Sequence, residues 1–270
     1  MMKTQENSAT ASGADSVPAL EMTGVTVSTL RDPSVELLRD VQWIVQPGEY
    51  WVVAGLHRSG KSDLMAVAAG LMRPRCGTVR IFGRELLAGI EHERVDSRRP
   101  VGLVFDGGQL LHHLTLAENI ALPLDYHEVG HDAERRTRLQ SLIEFTGLES
   151  SMARHPAQVS RNEQQRIGLA RALALKPRLL LLDNPLTGLD PRDAAWWLDS
   201  LDSLACGHAL LDGQPLTLVV TGDDFRPWQN RAKQFALLNG TTFLALGGRE
   251  ELRHHPEPLL QVLLDAPGHS

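Results

Sequence analysis

The chain has 270 residues, 42% of them apolar, which suits one large α/β domain or a domain carrying an inserted lobe. Its 27 Lys and Arg against 33 Asp and Glu leave a formal charge of −6, which argues against nucleic acid as the main partner. Cys76 and Cys206 lie far apart without metal-ligand spacing and point to a reduced, cytosolic setting, and no apolar run approaches the ~18 residues that a membrane span needs.

The opening MMKTQENSATASGADSVPAL is small and polar, without the apolar segment of a signal peptide or anchor, and residues 1–19 are expected to form a disordered tail. Strand text begins with GVTVSTL, turns at Arg31-Asp32-Pro33-Ser34 and resumes as VELLRDVQWIVQ. A Pro47-Gly48 turn leads into YWVVAGL, an apolar strand that feeds a glycine loop. That loop and the turn after it, Gly55, Leu56, His57, Arg58, Ser59, Gly60, Lys61, Ser62 and Asp63, fit the pattern Gly-x-x-x-x-Gly-Lys-Ser. Backbone N–H groups of such a loop, and of the helix that follows, wrap phosphate oxygens, which requires glycine where the chain bends sharply. Lys61 is then expected to reach the β- and γ-phosphates of a nucleotide, and the Ser62 hydroxyl to ligate Mg²⁺. The competing reading is a plain glycine turn ahead of a helix.

A helix is predicted over Lys61 to Met72, with Leu64, Val67, Ala68 and Leu71 at helical spacing and a stop at Arg73-Pro74. GTVRIFG reads as a short strand, residues 84–99 are charged and uninformative, and VGLVFD, Val101 to Asp106, reads as a buried strand. Helical text follows in LTLAENIALPL and DAERRTRLQSLIEFTGL. Residues 107–175 are therefore expected to form an α-helical lobe inserted between two parts of an α/β core, residues 20–106 and 176–270. Ser160-Arg161-Asn162-Glu163 is a capping box, in which Ser160 caps a helix and Glu163 reaches back to the backbone. RLLLLDNPLTGLD is an apolar strand ending in Asp183. A carboxylate at the C-terminal end of a parallel strand sits where ligands bind, so Asp183 is placed to hold Mg²⁺ through water. The helix PRDAAWWLDSLDSLA comes next, with Trp196 and Trp197 expected to pack. LTLVVT is a strand ending in Gly222-Asp223-Asp224, and strands QFALLNG and TTFLALGG precede helical REELRHH and LLQVLLD. His112-His113 and His254-His255 lack a partnering cluster and read as solvated surface.

In this order, GLHRSGKSD, VGLVFD opening a helical lobe, VSRNEQQRIGLARALALKPRLLLLDNPLTGLD and VVTGDD resemble the ATP-binding subunits of ABC transporters, from about residue 20 to 265. QQRIGLARAL followed by LLLLD and TGLD resembles that family's signature helix, Walker B strand and D-loop. The resemblance implies a P-loop NTPase fold: a RecA-like α/β sheet core with an antiparallel β subdomain, plus the inserted helical lobe. It also implies ATP and Mg²⁺ as cofactors, with Ser62, Asp106 and Asp183 turned toward the metal. The implied partners are a second ATP-binding subunit, the same chain or another, and integral-membrane permease subunits. The implied location is cytoplasmic and peripheral, on the inner face of the membrane. FDGGQLLHHLTLAENIALPL is further similar to the matching stretch of Mla/Mce-type phospholipid transport ATPases, through Gly108, LTLAEN and ALPL. Another subgroup of the family is the alternative.

The chain departs from the family at positions that carry chemistry. Two subunits of such proteins sandwich ATP, each phosphate loop facing the other's signature. The general-base glutamate is here Asn184, a neutral amide, and the switch histidine is Gly222. The Q-loop glutamine is Asp106, which adds a charge. The signature is Ser160, Arg161, Asn162 and Glu163, with Arg161 and Asn162 in place of glycines, and Arg58 stands where the phosphate loop usually has glycine. No aromatic occupies the strand region near Leu30 where an adenine-stacking residue is expected. Loss of a general base costs ~10²–10⁴ in rate, and loss of a preorganised transition-state donor costs ~10²–10³. Gly60, Lys61, Ser62 and Asp183 keep the ground-state phosphate and Mg²⁺ contacts, so the sequence predicts binding without efficient hydrolysis. Two readings follow: a transporter motor that passes closure through the helical lobe to a permease, with phospholipid as the expected cargo, and a nucleotide-gated structural or regulatory subunit that cycles little.

Overall fold

The computed structural model describes residues 17–29, 32–86 and 100–265. A six-stranded sheet forms the centre. Its strands are β3 (Tyr50–Gly55), β6 (Val101–Val104), β7 (Leu179–Leu182), β8 (Thr217–Gly222), β9 (Gln234–Asn239) and β10 (Thr242–Gly247), in the order β10-β9-β3-β8-β7-β6. All neighbours are parallel except the β9–β10 hairpin. A second, four-stranded antiparallel sheet runs β2-β1-β4-β5, from β1 (Leu20–Ser28), β2 (Glu36–Val45), β4 (Cys76–Ile81) and β5 (Arg84–Glu85). This is the α/β P-loop architecture with an antiparallel subdomain and a helical lobe.

Alternation along the central strands explains the three layers. Trp51, Val53, Leu179, Leu181, Val219, Ala236 and Leu238 join one buried cluster with the antiparallel sheet and helix α1 (Lys61–Ala68). Val52, Ala54, Leu180, Leu182, Leu218, Val220, Phe235 and Leu237 join the other, with the helices of the opposite side. Both faces are covered, which is why these strands read as unbroken apolar runs rather than alternating ones. Trp43 of β2 stands edge-on to Trp51 at 5.8 Å and meets Phe243 of β10 at 5.1 Å, joining the two sheets.

The lobe consists of α2 (Leu116–Tyr126), α3 (Asp132–Thr146) and α4 (Arg161–Leu173). Thr115 and Glu118 form a capping box at the start of α2, and Ser160 and Glu163 form the expected one at the start of α4. Buried Asn119 ties the preceding loop to α2 through Leu111 N–H (2.8 Å) and the Leu111 and Thr115 carbonyls. Arg138 of α3 donates to the Leu173 and Leu210 carbonyls, each at 2.6 Å, and so caps the end of α4 with a guanidinium. Helix α5 (Pro191–Cys206) starts at Asp190, whose carboxylate accepts from the Arg192 and Asp193 N–H groups, and α6 (Arg249–His254) and α7 (Pro258–Asp265) close the chain.

Some expectations are corrected. Helix α1 ends at Ala68, not Met72: Gly70 adopts φ 69°, the Leu71 and Met72 N–H groups turn back to the Ala66 carbonyl, and Leu71 is half exposed instead of lying on a buried face. Strands β6 and β7 stop before Asp106 and Asp183, which lie in the loops that follow. Ala19, assigned to the tail, is buried and its N–H bonds to the Val45 carbonyl at 2.8 Å; residues 1–16 and Leu30 lie outside the described residues. Trp197 is fully buried, as expected of a packing residue.

Trp43→Ala is expected to cost about 3–5 kcal/mol, since it removes the ring on which both sheets meet. Tyr126→Ala, at a residue 70% exposed, is expected to stay within about 0.5 kcal/mol. Denaturant midpoints of the two variants check this, and equal midpoints would refute the joint.

Candidate nucleotide-binding site

The carboxyl ends of β3, β8, β7 and β6 lie side by side, with Ala54 opposite Gly222, Val220 opposite Leu182 and Leu182 opposite Val104. The loops leaving them converge on a cleft of about 340 Å³, lined by Arg58, Gly60, Lys61, Ser62, Asp106, Asp183, Asn184 and Asp223, among others. That volume falls within the roughly 300–1,000 Å³ of small-molecule sites, and the place is where open parallel sheets hold ligands.

The glycine loop is shaped for close backbone approach. A Cβ on Gly55 would lie 2.6 Å from Ser59 Oγ and 3.0 Å from the Leu238 carbonyl, and Gly60, at φ 90°, caps α1. Arg58 also takes a left-handed conformation, φ 65°, so this position calls for glycine and carries a side chain at a conformational cost. The buried Lys61 ammonium lies inside the loop, donating to the Gly55 carbonyl at 2.6 Å and the Leu56 carbonyl at 2.9 Å, with Asp223 Oδ1 at 3.2 Å.

The donor set suits a phosphate chain with a divalent cation. Ser59 Oγ is buried without a hydrogen-bond partner, and the loop has no room for side chains at Gly55. Asp183 is 5% exposed, and its carboxylate accepts from Thr221 Oγ1 at 2.8 Å and from Ser62. Burial pushes the Asp183 carboxyl above its ordinary value, and those two hydrogen bonds and Lys61 pull against it. Among the described residues no group of three or more His, Cys, Asp or Glu converges as a metal cage. A cation here would therefore be held by Ser62, Asp183 and Asp106 together with phosphate oxygens, the usual way Mg²⁺ is bound beside a nucleotide.

Asn184 occupies the left-handed region at φ 52°, a conformation that asparagine tolerates better than most residues. Its N–H donates to Thr221 Oγ1 at 2.9 Å, and its amide Nδ2 reaches Asp223 Oδ2 at 3.4 Å. Gly222 is not in a left-handed conformation, and a Cβ there would make ordinary contacts at 3.4 Å with the Asp224 carbonyl and Trp228 Nε1. The backbone does not demand glycine at this position.

Each residue of Ser160 to Glu163 is engaged within its own chain. Ser160 Oγ accepts from the Glu163 N–H at 3.2 Å, and the Glu163 carboxylate accepts from the Ser160 N–H at 2.8 Å. Arg161 forms an ion pair with Asp106. Asn162 is buried, and its Oδ1 accepts from the indole of Trp197 at 3.0 Å. Sequence reasoning missed Thr221, which orients both Asp183 and Asn184, and the pairing of Asp223 with Lys61. Thr221 lies at the end of β8, the apolar strand between β3 and β7, and Asp223 directly follows it, and that position was the available signal. The Arg161–Asp106 pair spans 55 positions and has no local signature.

Comparison with known proteins adds the following. The profile of a family described as ABC transporter matches residues 38–187. The methionine import ATP-binding protein MetN 1 of Rhodococcus jostii is 33% identical over 229 residues, covering 85% of this chain and 66% of that relative. The sulfate/thiosulfate import ATP-binding protein CysA of Methylococcus capsulatus is 33% identical over 229 residues, covering 83% of this chain and 62% of that relative. The chain thus spans about two thirds, or less, of the length of these curated relatives. Among solved structures, a dimeric post-hydrolysis state of the ATP-binding cassette MJ0796 bound to ADP and Pi superposes with a TM-score of 0.74 at 27% identity, covering 85% of this chain and 99% of that one.

Asn162→Ala strands the Trp197 indole N–H in the core and is expected to cost about 1–3 kcal/mol. On a Trp197→Phe background the same change should cost markedly less. A double-mutant cycle by thermal unfolding checks this, and additive effects would show that the bond is idle.

Proposed function

Because this chain belongs to the ABC transporter family, with residues 38–187 matched by its profile, we propose that it is a nucleotide-binding subunit that binds ATP with Mg²⁺ and hydrolyses it slowly. The observation that carries this reading is the coexistence, in one cleft, of Lys61, Ser62 and buried Asp183 with an amide at 184, while Gly222, in the adjoining pocket that Asn184 and Asp223 also line, offers no side chain. The loop N–H groups and Lys61 hold the phosphates, and the Lys61 ammonium exchanges its Asp223 partner for phosphate oxygens. Ser62 and Asp183 orient the cation, whose charge would offset that of the β- and γ-phosphates. The Asn184 amide orients a water by hydrogen bonding but takes no proton from it. Asp223, another carboxylate of the cleft, is shared between Lys61 and Asn184.

The likeness to import ATP-binding proteins and to a dimeric cassette supports pairing with a second ATP-binding subunit and docking on a membrane permease at the cytoplasmic face. Leu111, Leu122 and Tyr126 expose apolar surface in the 107–130 region, where a permease helix would seat. Among the described residues no helix is long and apolar enough to cross a membrane. The phospholipid cargo suggested by residues 105–124 has no counterpart in these relatives, whose names give methionine and sulfate or thiosulfate. The proposal is therefore transport coupled to nucleotide binding, without a named cargo.

ATP affinity and phosphate release on the purified chain test the reading. Lys61→Ala should weaken ATP binding by about 10- to 100-fold, the worth of a hydrogen-bonded charge. The Asn184→Glu, Gly222→His double variant should raise turnover by about 10²-fold or more over a slow parent. Brisk turnover by the parent, abolished by Asp223→Asn, would replace this reading with one in which Asp223 is the base.

A further inference from the structure

Asp106 lies at the meeting point of two competing partners. On one side it lines the phosphate cleft with Ser62 and Asp183, and on the other it pairs with Arg161, the first residue of α4. Both side chains of the pair are substantially exposed, 58% for Arg161 and 41% for Asp106. Exposed pairs of this kind are weak, worth a few-fold in an equilibrium constant, so a divalent cation competes with one easily.

The backbone around Asp106 makes the competition consequential. Gly108 is pressed onto α4: a Cβ there would lie 2.3 Å from the Gln164 carbonyl, and one on Gly168 would lie 2.9 Å from Gly108 Cα. Arg171 of α4 donates to the Gly108 carbonyl at 2.8 Å and to the Gln109 carbonyl at 3.1 Å. The segment from Gly108 onward therefore belongs mechanically to α4. Only Gly107, at φ 71°, separates that anchor from Asp106, and a Cβ on Gly107 would come no closer than 3.6 Å to the Arg161 guanidinium. The Gly108 N–H donates to the Phe105 carbonyl at 2.9 Å, so Asp106 and Gly107 form the tip of a turn that ends on the anchored loop and leaves the Asp106 carboxylate exposed between cleft and α4.

We propose that the Asp106–Arg161 ion pair is a latch sensitive to the cation: Mg²⁺ arriving with nucleotide takes the Asp106 carboxylate from Arg161 and frees the N-terminal turn of α4 from the phosphate cleft. This rests on the nucleotide-binding reading above and adds to it a regulatory contact between cleft and lobe. Asp106 and Arg161 are complementary substitutes, each charged where the family has a neutral residue, and they meet each other.

The test is the affinity of a fluorescent ATP analogue, measured with Mg²⁺ and with EDTA, for the parent chain and for R161Q, D106N, the double variant and K61A. Removing a positive charge near a polyanion site weakens binding in both media if charge alone matters. The latch instead requires R161Q to tighten the Mg²⁺ form about two- to fivefold, within what an exposed pair is worth, while the EDTA form stays equal or weakens. In the D106N background, R161Q should no longer tighten Mg²⁺-dependent binding. Binding that needs Lys61 but responds to R161Q identically in both media would overturn the latch and leave the functional reading standing. No binding by the parent, with or without Mg²⁺, would overturn both.

Discussion

Strand β3 is hydrogen-bonded on both edges by parallel strands and covered on both faces by apolar side chains, and the position of every group in the cleft follows from that. Its partners β8 and β9 hold it in register from Tyr50 to Gly55, so the glycine loop leaves the sheet at a point that cannot shift without breaking two ladders. Parallel pairing then delivers the ends of β6, β7 and β8 to the same edge, and with them Asp106, Asp183 and Asp223. An antiparallel neighbour would have carried its following loop to the far side. The Lys61 ammonium, surrounded by loop carbonyls and one carboxylate, is the positive centre on which these acids converge.

The unusual residues around this centre have work to do inside the chain. Asn162 anchors an indole, Arg161 answers the charge of Asp106, Glu163 closes the capping box with Ser160 at the open end of a helix, and Asn184 fills a left-handed turn while its amide meets Asp223. Restoring a family residue at one of these positions therefore removes a local partner as well as adding a chemical group. The groups proposed to hold phosphate and cation overlap with these only at Asp106, the others being the glycine loop, Lys61, Ser62 and Asp183.

Much of this was legible in the sequence because it depends on short spacing. The phosphate loop, the Ser160 box and the apolar strands each occupy a few consecutive residues, and each falls within the stretch the pattern marked, although β6 and β7 end earlier than expected. The Thr115 box was equally readable from Thr115 and Glu118 and went unread. Helix α1 was read too long because Leu71 continued the apolar period, although Gly70 already marked the break. The remaining contacts could not be read from neighbours in sequence. Trp197 with Asn162, Arg161 with Asp106, and Thr221 with Asp183 are each made by side chains more than thirty positions apart, and only the folded sheet and lobe bring them together.

Gly108 and Gly168 meet backbone to backbone, which binds their fates together across the lobe. Neither has a side chain to exchange, so no compensating partner can rescue a change at one by a change at the other. Drift at either position closes a door instead of opening a detour, and lineages of this protein should keep both glycines even where the cleft itself has been rewritten. A screen for loss of the folded lobe would then return these positions, although neither glycine lines the cleft. Their failure would be one of carpentry, with the phosphate loop itself left intact.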